Sequence, residues 1–237
     1  MFMRAFVIAG TIAAAVWQAG PAAAGSNEYV FSLSWQPAFC ETRPQKTECK
    51  SMTPDRYDAA NVVLHGLWPQ GAQFCGVPAY IVALDNDPGR WLDMPEVAMK
   101  PETRQELATY MPGVASGLHL HEWYKHGTCS GLSPDGYFGL SVTLAKSAAT
   151  ASFGKLLHGS VGATITGQQL CEALARDYGD KASQLVKLIV KNGTFSEIRF
   201  TLQADADKTT ALNATHMLPM GGARCSTTPI RIDAAGN

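Results

Sequence analysis

The residue types best suited to chemistry are concentrated in one segment, residues 121–130, which reads HEWYKHGTCS. Four of its side chains can transfer protons or stabilise negative charge near neutral pH. They are His121, Glu122, Lys125 and His126. If the segment is helical, these four and the thiol of Cys129 fall within an arc of about 140°, and the aromatic pair between them faces elsewhere. A face with two imidazoles, a carboxylate and an ammonium group suits cleavage of a phosphate ester.

The spacing within this segment indicates how its groups could cooperate. Glu122 and His126 are four residues apart, so in a helix they could share a hydrogen bond that orients the imidazole. For a single histidine, a packed or solvated side chain is the simpler interpretation, but the cluster favours a site. A zinc centre is disfavoured, because His121 and His126 are five residues apart rather than four and Lys125 would place a positive charge beside the ion. We therefore expect no metal and no cofactor.

A second candidate, His65, follows a short apolar run at residues 61–64 that is typical of a strand. We predict that the strand ends there and that Gly66 lets the backbone turn, so that the imidazole projects into a cleft. An isolated histidine in this position is more often structural.

The remaining elements that must position these residues follow from periodicity and turn signals. Strands are predicted at residues 29–35, 185–191, 195–202 and 230–232, helices at 101–110, 136–151 and 166–177, and a charged loop at 39–49. Asn192–Gly193 is the turn of a predicted hairpin, and the Thr166–Gln169 segment is a predicted capping box. Helices in the middle and strands at both ends indicate an α+β fold, with a mainly antiparallel central sheet flanked by helices.

Six cysteines predict three disulfide bonds in an exported protein, although sequence alone leaves 15 pairings open. Locality, and the regions that each bond would join, favour Cys40–Cys49, Cys75–Cys129 and Cys171–Cys225. The second bond would close a loop of about 55 residues, worth roughly 4 kcal/mol in the chain-entropy model. It would also tie the central segment to the part of the chain that contains His65.

Residues 1–24 have the features of a secretory signal peptide. Arg4 precedes an apolar run at residues 5–17, and Pro21–Ala24 ends in a small-residue cleavage signal, so the mature chain is expected to begin at Gly25 or Ser26. The run is short of the roughly 20 residues of a membrane span, which disfavours an uncleaved anchor. We expect an exported protein, periplasmic or secreted, with one domain at residues 25–237 and no association with a membrane.

The charge balance excludes a protein that coats nucleic acid. The chain has 19 basic and 20 acidic residues, and removal of Arg4 with the leader makes the balance slightly more acidic. A nucleic acid substrate would therefore be held in a local cleft and released after reaction, without a stable complex.

Three segments together resemble the ribonuclease T2 family. HGLWP at residues 65–69 resembles its first active-site motif, HEWYKHGTC at 121–129 resembles its second, and SWQPAFC at 34–40 is similar to its first-strand segment. The resemblance implies metal-independent cleavage of single-stranded RNA, in which the neighbouring 2′-hydroxyl attacks phosphorus and leaves a 2′,3′-cyclic phosphate. Such an enzyme gains a large effective molarity by holding the attacking oxygen in line.

By the same resemblance, His126 would accept the 2′-hydroxyl proton and His65 would protonate the departing 5′-oxygen. Glu122 and Lys125 would stabilise the charge on the phosphorane, with Glu122 acting as a protonated donor or as the partner of His126. His121 would bind phosphate. One histidine must start neutral and the other charged, so we predict a bell-shaped pH–rate curve on the acid-to-neutral side.

The resemblance also implies base-binding residues. Trp68 matches a position where an indole stacks on a base, although an indole packed under its loop is an equal alternative. Gln70 stands where other members carry an aspartate that reads a base edge, and an amide both donates and accepts, so low base selectivity is expected. Gln36 and Phe74 are candidates for a second base site.

Two other functions are compatible with these residues. One is a zinc-dependent hydrolase built on the same histidines. The other is a secreted binding protein that keeps the fold without catalysis, which the presence of His65, Glu122, Lys125 and His126 disfavours. We expect a monomer whose partner is RNA substrate.

Overall fold

The centre of the protein is a seven-stranded sheet in the computed structural model, which describes residues 28–203 and 211–236. Its strands are β1 (Glu28–Trp35), β2 (Val62–Pro69), β3 (Thr164–Thr166), β4 (Val186–Lys191), β5 (Thr194–Gln203), β6 (Met217–Leu218) and β7 (Pro229–Arg231). The strand order is β2-β1-β5-β7-β3, and β4 and β6 also pair with β5. Within these residues the β5–β7 contact is parallel and the other pairs are antiparallel, so the predicted α+β fold class is confirmed.

Strand β5 organises the sheet, because it pairs with β1 along one edge and with β4 along the other. The predicted hairpin is present. Asn192 and Gly193 join β4 to β5 with φ angles of 50° and 75°, as a two-residue turn that matches strand twist requires. Phe200 of β5 and Phe31 of β1 are fully buried with ring centroids 6.1 Å apart, so the two central strands share an aromatic core.

The pairing of β1 with β2 contains a β-bulge at His65. Leu64 and Gly66 face the consecutive β1 residues 33 and 32, so His65 is an extra residue in β2. The predicted end of this strand at residue 64 is wrong, because β2 continues to residue 69. The extra residue shifts the alternation of side chains, so Leu64 and Leu67 face the same side of the sheet although three positions separate them. A bulge changes the direction of the side chain that it carries.

In the described part of the chain, eight α-helices flank this sheet. They are α1 (Gln36–Thr42), α2 (Thr47–Lys50), α3 (Ala79–Asp85), α4 (Pro101–Tyr110), α5 (Leu118–His121), α6 (Pro134–Thr150), α7 (Ser152–His158) and α8 (Gly167–Tyr178). The capping box predicted for α8 is confirmed, since Thr166 and Gln169 exchange side-chain and backbone hydrogen bonds. Helix α6 packs on β2, where the Tyr137 hydroxyl donates to the Leu67 carbonyl at 2.7 Å.

The loop predicted at residues 39–49 is wrong, because this region contains most of α1 and nearly all of α2. Pro37 lies in the first turn of α1, where its missing N–H costs nothing, so it begins a helix as well as ending the strand. A disulfide between Cys40 and Cys49 joins the two short helices, which gives them a stability that neither could have alone.

The six cysteines form the bonds Cys40–Cys49, Cys75–Cys129 and Cys171–Cys225. These are the pairs that locality favours in the sequence. Among the described residues no helix is long and apolar enough to cross a membrane. The predicted signal peptide, residues 1–24, and the predicted start of the mature chain at Gly25 or Ser26 lie outside the described residues.

Candidate active site

The central segment is not one continuous α-helix, the geometry in which its polar side chains would share an arc of about 140°. Helix α5 ends at His121, residues 122–126 form a π-helical turn, and residues 127–129 form a 3₁₀ turn. Gly127 lies against the Trp123 ring, where a Cβ would collide, so glycine allows this change of helical form. π turns inside helices occur frequently at functional sites.

The π turn brings the predicted polar groups inward and turns the aromatic residues away from them. Glu122 and His126 are buried, with 1% and 9% of their surfaces exposed. Trp123 and Tyr124 pack against the hydrophobic core, as predicted. Lys125 is half-buried, and its charge acts on both Glu122 and His126.

A buried carboxylate from β5 orients His65. Nδ1 of His65 lies 2.8 Å from Oε1 of Glu197. The same carboxylate accepts a hydrogen bond from the Ser32 hydroxyl and one from Nη2 of Arg199 at 2.7 Å. Three donors therefore surround Glu197, and the bulge in β2 directs the imidazole towards it.

The indole of Trp68 contacts both candidate histidines. Its ring centroid lies 5.2 Å from that of His65 and 5.7 Å from that of His126, so the two imidazoles are no farther apart than the sum of these separations. Nε1 of Trp68 donates to Oε2 of Glu122 at 2.8 Å. The predicted Glu122–His126 hydrogen bond is absent among the described residues. A π turn does not keep the four-residue spacing of an α-helix, and the Glu122 carboxylate accepts its hydrogen bond from the indole N–H instead.

Gly66 is required at this point by close packing and not by a turn. It lies inside β2, and a Cβ there would collide with Oε2 of Glu122 and Nε1 of Trp68. The predicted turn at Gly66 is therefore wrong, and the residue instead allows the Trp68–Glu122 bond to pass over the backbone.

His121 is fixed by two residues from α3 and the segment that follows it. Its Nδ1 lies 2.7 Å from Oδ1 of Asp85, which is buried. Its ring stacks on Trp91 with centroids 4.4 Å apart, and it meets the His126 ring at 5.9 Å. The three histidines and Trp68 therefore form one continuous cluster.

The surroundings shift the pKa values of the two candidate proton-transfer groups, His126 and His65, in opposite directions. Burial, together with the positive charges of His121, Lys125 and His65, lowers the pKa of His126 to about 3. Burial also lowers the pKa of His65, but its hydrogen bond to Glu197 and the charges of Glu122 and Glu197 outweigh this and raise the pKa above its ordinary value. The pKa values of the two imidazoles are therefore moved apart, a pattern that separates a base from an acid.

Burial also raises the pKa of Glu122, against the opposing effects of His65, His121, the Trp68 hydrogen bond and Lys125. A carboxyl group in this position can keep its proton at higher pH than an exposed one. It can then donate a hydrogen bond to an oxyanion.

Three of these side chains could also hold a metal ion. His121, Glu122 and His126 each place one potential ligand atom within 4.8 Å of the others. Asp85 binds Nδ1 of His121 and leaves Nε2 available to a ligand. In metal sites a carboxylate in this position orients a ligating histidine. The zinc alternative therefore has a geometric basis despite the five-residue spacing.

Separate cavities adjoin the two histidines. One, of about 380 Å³, is lined by His126, Trp68 and Gln70. Another, of about 200 Å³, is lined by His65, Gln36 and aromatic side chains that include Trp91. The structure therefore separates the predicted residues Gln70 and Gln36 into two recesses, and Phe74 is not among the described residues that line either one.

Sequence reasoning missed the residues that support the histidines. These are Ser32, Asp85, Trp91, Glu197 and Arg199. A signal for two of them was present, since Glu197 and Arg199 alternate with apolar residues in a strongly predicted strand, and a charge on a buried strand requires a partner. No local pattern indicates that Asp85 would reach His121.

Comparisons with known proteins agree with this geometry. The sequence profile described as the Ribonuclease T2 family matches residues 27–214. The chain is 30% identical over 223 residues to "Ribonuclease I" of Escherichia coli (strain K12), covering 81% of each chain. It is 32% identical over 117 residues to a "Ribonuclease" of Aeromonas hydrophila, covering 49% of this chain and 43% of that one.

The fold is similar to that of a solved structure of human RNase T2, with a TM-score of 0.56 at 20% identity, covering 86% of this chain and 96% of that chain. The family profile and the Escherichia coli relative indicate the same family, and the fold is consistent with it. The chain belongs to the ribonuclease T2 family.

Proposed function

We propose that this T2-family ribonuclease cleaves single-stranded RNA without a metal ion, by transfer of the phosphoryl group from the 5′-oxygen to the adjacent 2′-oxygen. The observation that carries the proposal is the placement of His65 and His126 against one indole ring, with their pKa values shifted in opposite directions. The products are a 2′,3′-cyclic phosphate and a free 5′-hydroxyl.

His126 is the general base. Because its imidazole is neutral at any pH well above about 3, it can accept the 2′-hydroxyl proton as the oxygen attacks phosphorus. His65 is the general acid, since its raised pKa keeps it charged to higher pH than an unperturbed imidazole. It gives a proton to the 5′-oxygen as the bond from phosphorus to that oxygen breaks.

Charge on the phosphorane is stabilised by three further groups. Lys125 supplies a positive charge, and Glu122 acts as a hydrogen-bond donor in its protonated form, which its burial favours. His121 binds the phosphate, held in place by Asp85 and Trp91. Fixed donors of this kind act strongly because they need not reorganise during the reaction.

The bases on either side of the scissile phosphate occupy the two recesses. Trp68 and Gln70 line the recess beside His126, and Gln36 lines the recess beside His65. Phe74 remains a candidate for the second base site, because its backbone N–H donates to the Lys125 carbonyl at 2.9 Å and so holds the residue beside the central segment. Amide side chains both donate and accept hydrogen bonds, so the enzyme has low base selectivity.

The enzyme acts as a monomer outside the cytoplasm, in the periplasm or the external medium. Residues 1–24 serve as a cleaved signal peptide, and residues 25–237 form one domain. Three disulfide bonds support an oxidising compartment.

Digestion of a defined oligoribonucleotide and its 2′-deoxy counterpart, with EDTA present, tests the reaction. We expect cleavage of the ribonucleotide alone, with cyclic phosphate termini. Loss of activity in EDTA that zinc restores would instead favour a hydrolase built on His121, Glu122 and His126. Binding of RNA without cleavage would favour a catalytically silent binding protein.

Single substitutions test the two histidines. His65→Ala and His126→Ala should each lose activity by roughly 10²–10⁴-fold, the usual contribution of one proton-transfer group. His158→Ala is the matched control, because this exposed histidine contacts the Ala60 carbonyl away from the cluster. Full activity in either active-site variant would contradict the assignment.

A further inference from the structure

Glu197 is a buried acid beside the site, and the reaction proposed above gives it no role. It is 7% exposed and lies on β5, more than 130 positions along the chain from its partner His65. Burial of a carboxylate is costly unless its oxygens are hydrogen-bonded. Here one oxygen meets both His65 and Ser32, and the other accepts from Arg199.

We propose that Glu197 is the positioning residue of the general acid: it holds the His65 ring by Nδ1, so that Nε2 carries the proton delivered to the leaving oxygen. The proposal rests on the proposed function. In the step itself, the 2′-oxygen forms a bond to phosphorus and its proton passes to His126. The bond from phosphorus to the 5′-oxygen breaks, and that oxygen takes the proton from Nε2 of His65.

The hydrogen bonds to Glu197 give it the rigidity that this role requires. Ser32 and Arg199 fix both carboxylate oxygens, so the acid cannot rotate away from His65. The Arg199 guanidinium also lies 4.9 Å from the centroid of the Trp68 ring. Trp68 in turn binds Glu122. A continuous series of contacts therefore links Glu197, beside the proposed general acid, to Glu122, which stabilises charge on the phosphorane.

The charges that face His65 come from two elements. Glu197 and Arg199 project from β5, and Glu122 and His126 project from the central segment. Glu197 and Glu122 raise the pKa of His65, while Arg199 lowers it. Replacing Glu197 by a neutral residue removes one of the two acids that oppose Arg199, so His65 should lose its proton at lower pH.

Glu197→Gln tests the proposal with two substrates. On a dinucleoside phosphate, kcat should fall by about 10- to 100-fold, less than loss of proton transfer itself, and the basic limb of the pH–rate curve should move to lower pH. On the 4-nitrophenyl ester of uridine 3′-phosphate, the leaving group departs without protonation, so activity should be largely retained. An equal loss on both substrates, with an unmoved basic limb, would mean that Glu197 is only structural.

Asp58→Asn is the matched control. Asp58 is also a buried carboxylate in an ion pair, with Arg56, but it contacts none of the site residues discussed above. It should lower thermal stability and leave the pH–rate curve and the ratio of the two substrate activities unchanged. If the wild-type protein cleaves neither substrate, or if His65→Ala cleaves both fully, the proposed function fails before the role of Glu197 is tested.

A measurement on the wild-type protein keeps the proposal testable should the Gln variant fail to fold. Nitrogen NMR can identify which ring nitrogen of neutral His65 carries the proton. We expect the proton on Nδ1, facing Glu197. A proton on Nε2 in the neutral form would overturn the proposal.

Discussion

Nε1 of Trp68 donates a hydrogen bond to Oε2 of Glu122 at 2.8 Å, so the HGLWP segment and the HEWYKHGTC segment are joined by a direct bond. The bond passes over Gly66, and His65 and His126 lie on the flanks of the same indole. The two sequence segments therefore form one unit, and a change in either should affect both.

Gly66→Ala should disrupt this unit. The added methyl group would collide with both partners of the Trp68–Glu122 bond, which typically costs about 1–3 kcal/mol of stability for overpacking, and activity should fall with it. Urea unfolding and kcat on a dinucleoside phosphate measure the two effects. In the control Gly139→Ala, the methyl group meets no atom within 4 Å in helix α6, so stability should rise by about 0.5–1 kcal/mol. Full activity in Gly66→Ala would contradict the importance of the bond.

The pH dependence of kcat/KM should be bell-shaped with widely separated limbs. His126 must be neutral, so activity is lost as the pH falls through its pKa of about 3. His65 must be charged, so activity is lost as the pH rises through a pKa above its ordinary value of 6.5. Rates measured from pH 2.5 to 9 on a dinucleoside phosphate test both limbs. A basic limb below 6.5 would contradict the arrangement around His65.

Stability should depend on Glu197 at acid pH. Its hydrogen bonds to His65, Ser32 and Arg199 outweigh the effect of burial and lower its pKa from 4.5 to about 2. A carboxylate with a depressed pKa stabilises the folded state at pH values above its pKa in the unfolded chain. This stabilisation is lost as the pH falls through its pKa in the folded protein. The stabilisation is about 3 kcal/mol at pH 5 and should drop to about 1 kcal/mol at pH 2.5.

Urea unfolding of the wild-type protein and Glu197→Gln at these two pH values measures that difference. The free energies of unfolding should converge as the pH is lowered. A gap between the two proteins that does not change with pH would mean that the carboxylate charge contributes no stability.

Two disulfide bonds provide a matched pair. Cys75–Cys129 and Cys171–Cys225 both join residues 54 positions apart, so the chain-entropy model gives each the same stabilisation of about 4 kcal/mol. Replacing either pair by serine should lower the free energy of unfolding by a similar amount. Under conditions where both variants remain folded, loss of Cys75–Cys129 alone should lower kcat, because this bond holds the end of the central segment. Equal kcat values would refute that positioning role.

The sequence was sufficient for the elements with strong local signals. The turn at Asn192–Gly193 requires two positive φ angles and has residues that adopt them. The capping box at Thr166 satisfies helical N–H groups locally. Two histidines of the cluster, His121 and His126, were predictable for a related reason, since they lie within one short segment.

The features that sequence did not reveal depend on contacts between distant residues. The extra residue at position 65 is visible only against the register of β1. The π turn at residues 122–126 depends on how Trp123 packs against Gly127. The pairing of His65 with Glu197 needs β1 to lie between the two strands that carry them.

The β-bulge leaves His65 outside the pairing of β1 with β2, so the position of this residue is set independently of the strand ladder. Leu64 and Gly66 already face neighbouring positions of β1, so a chain lacking residue 65 would retain every partner in an uninterrupted ladder. The pairing of β1 with β2 would be complete without the proposed acid, so the bulge serves the placement of the imidazole and not the sheet.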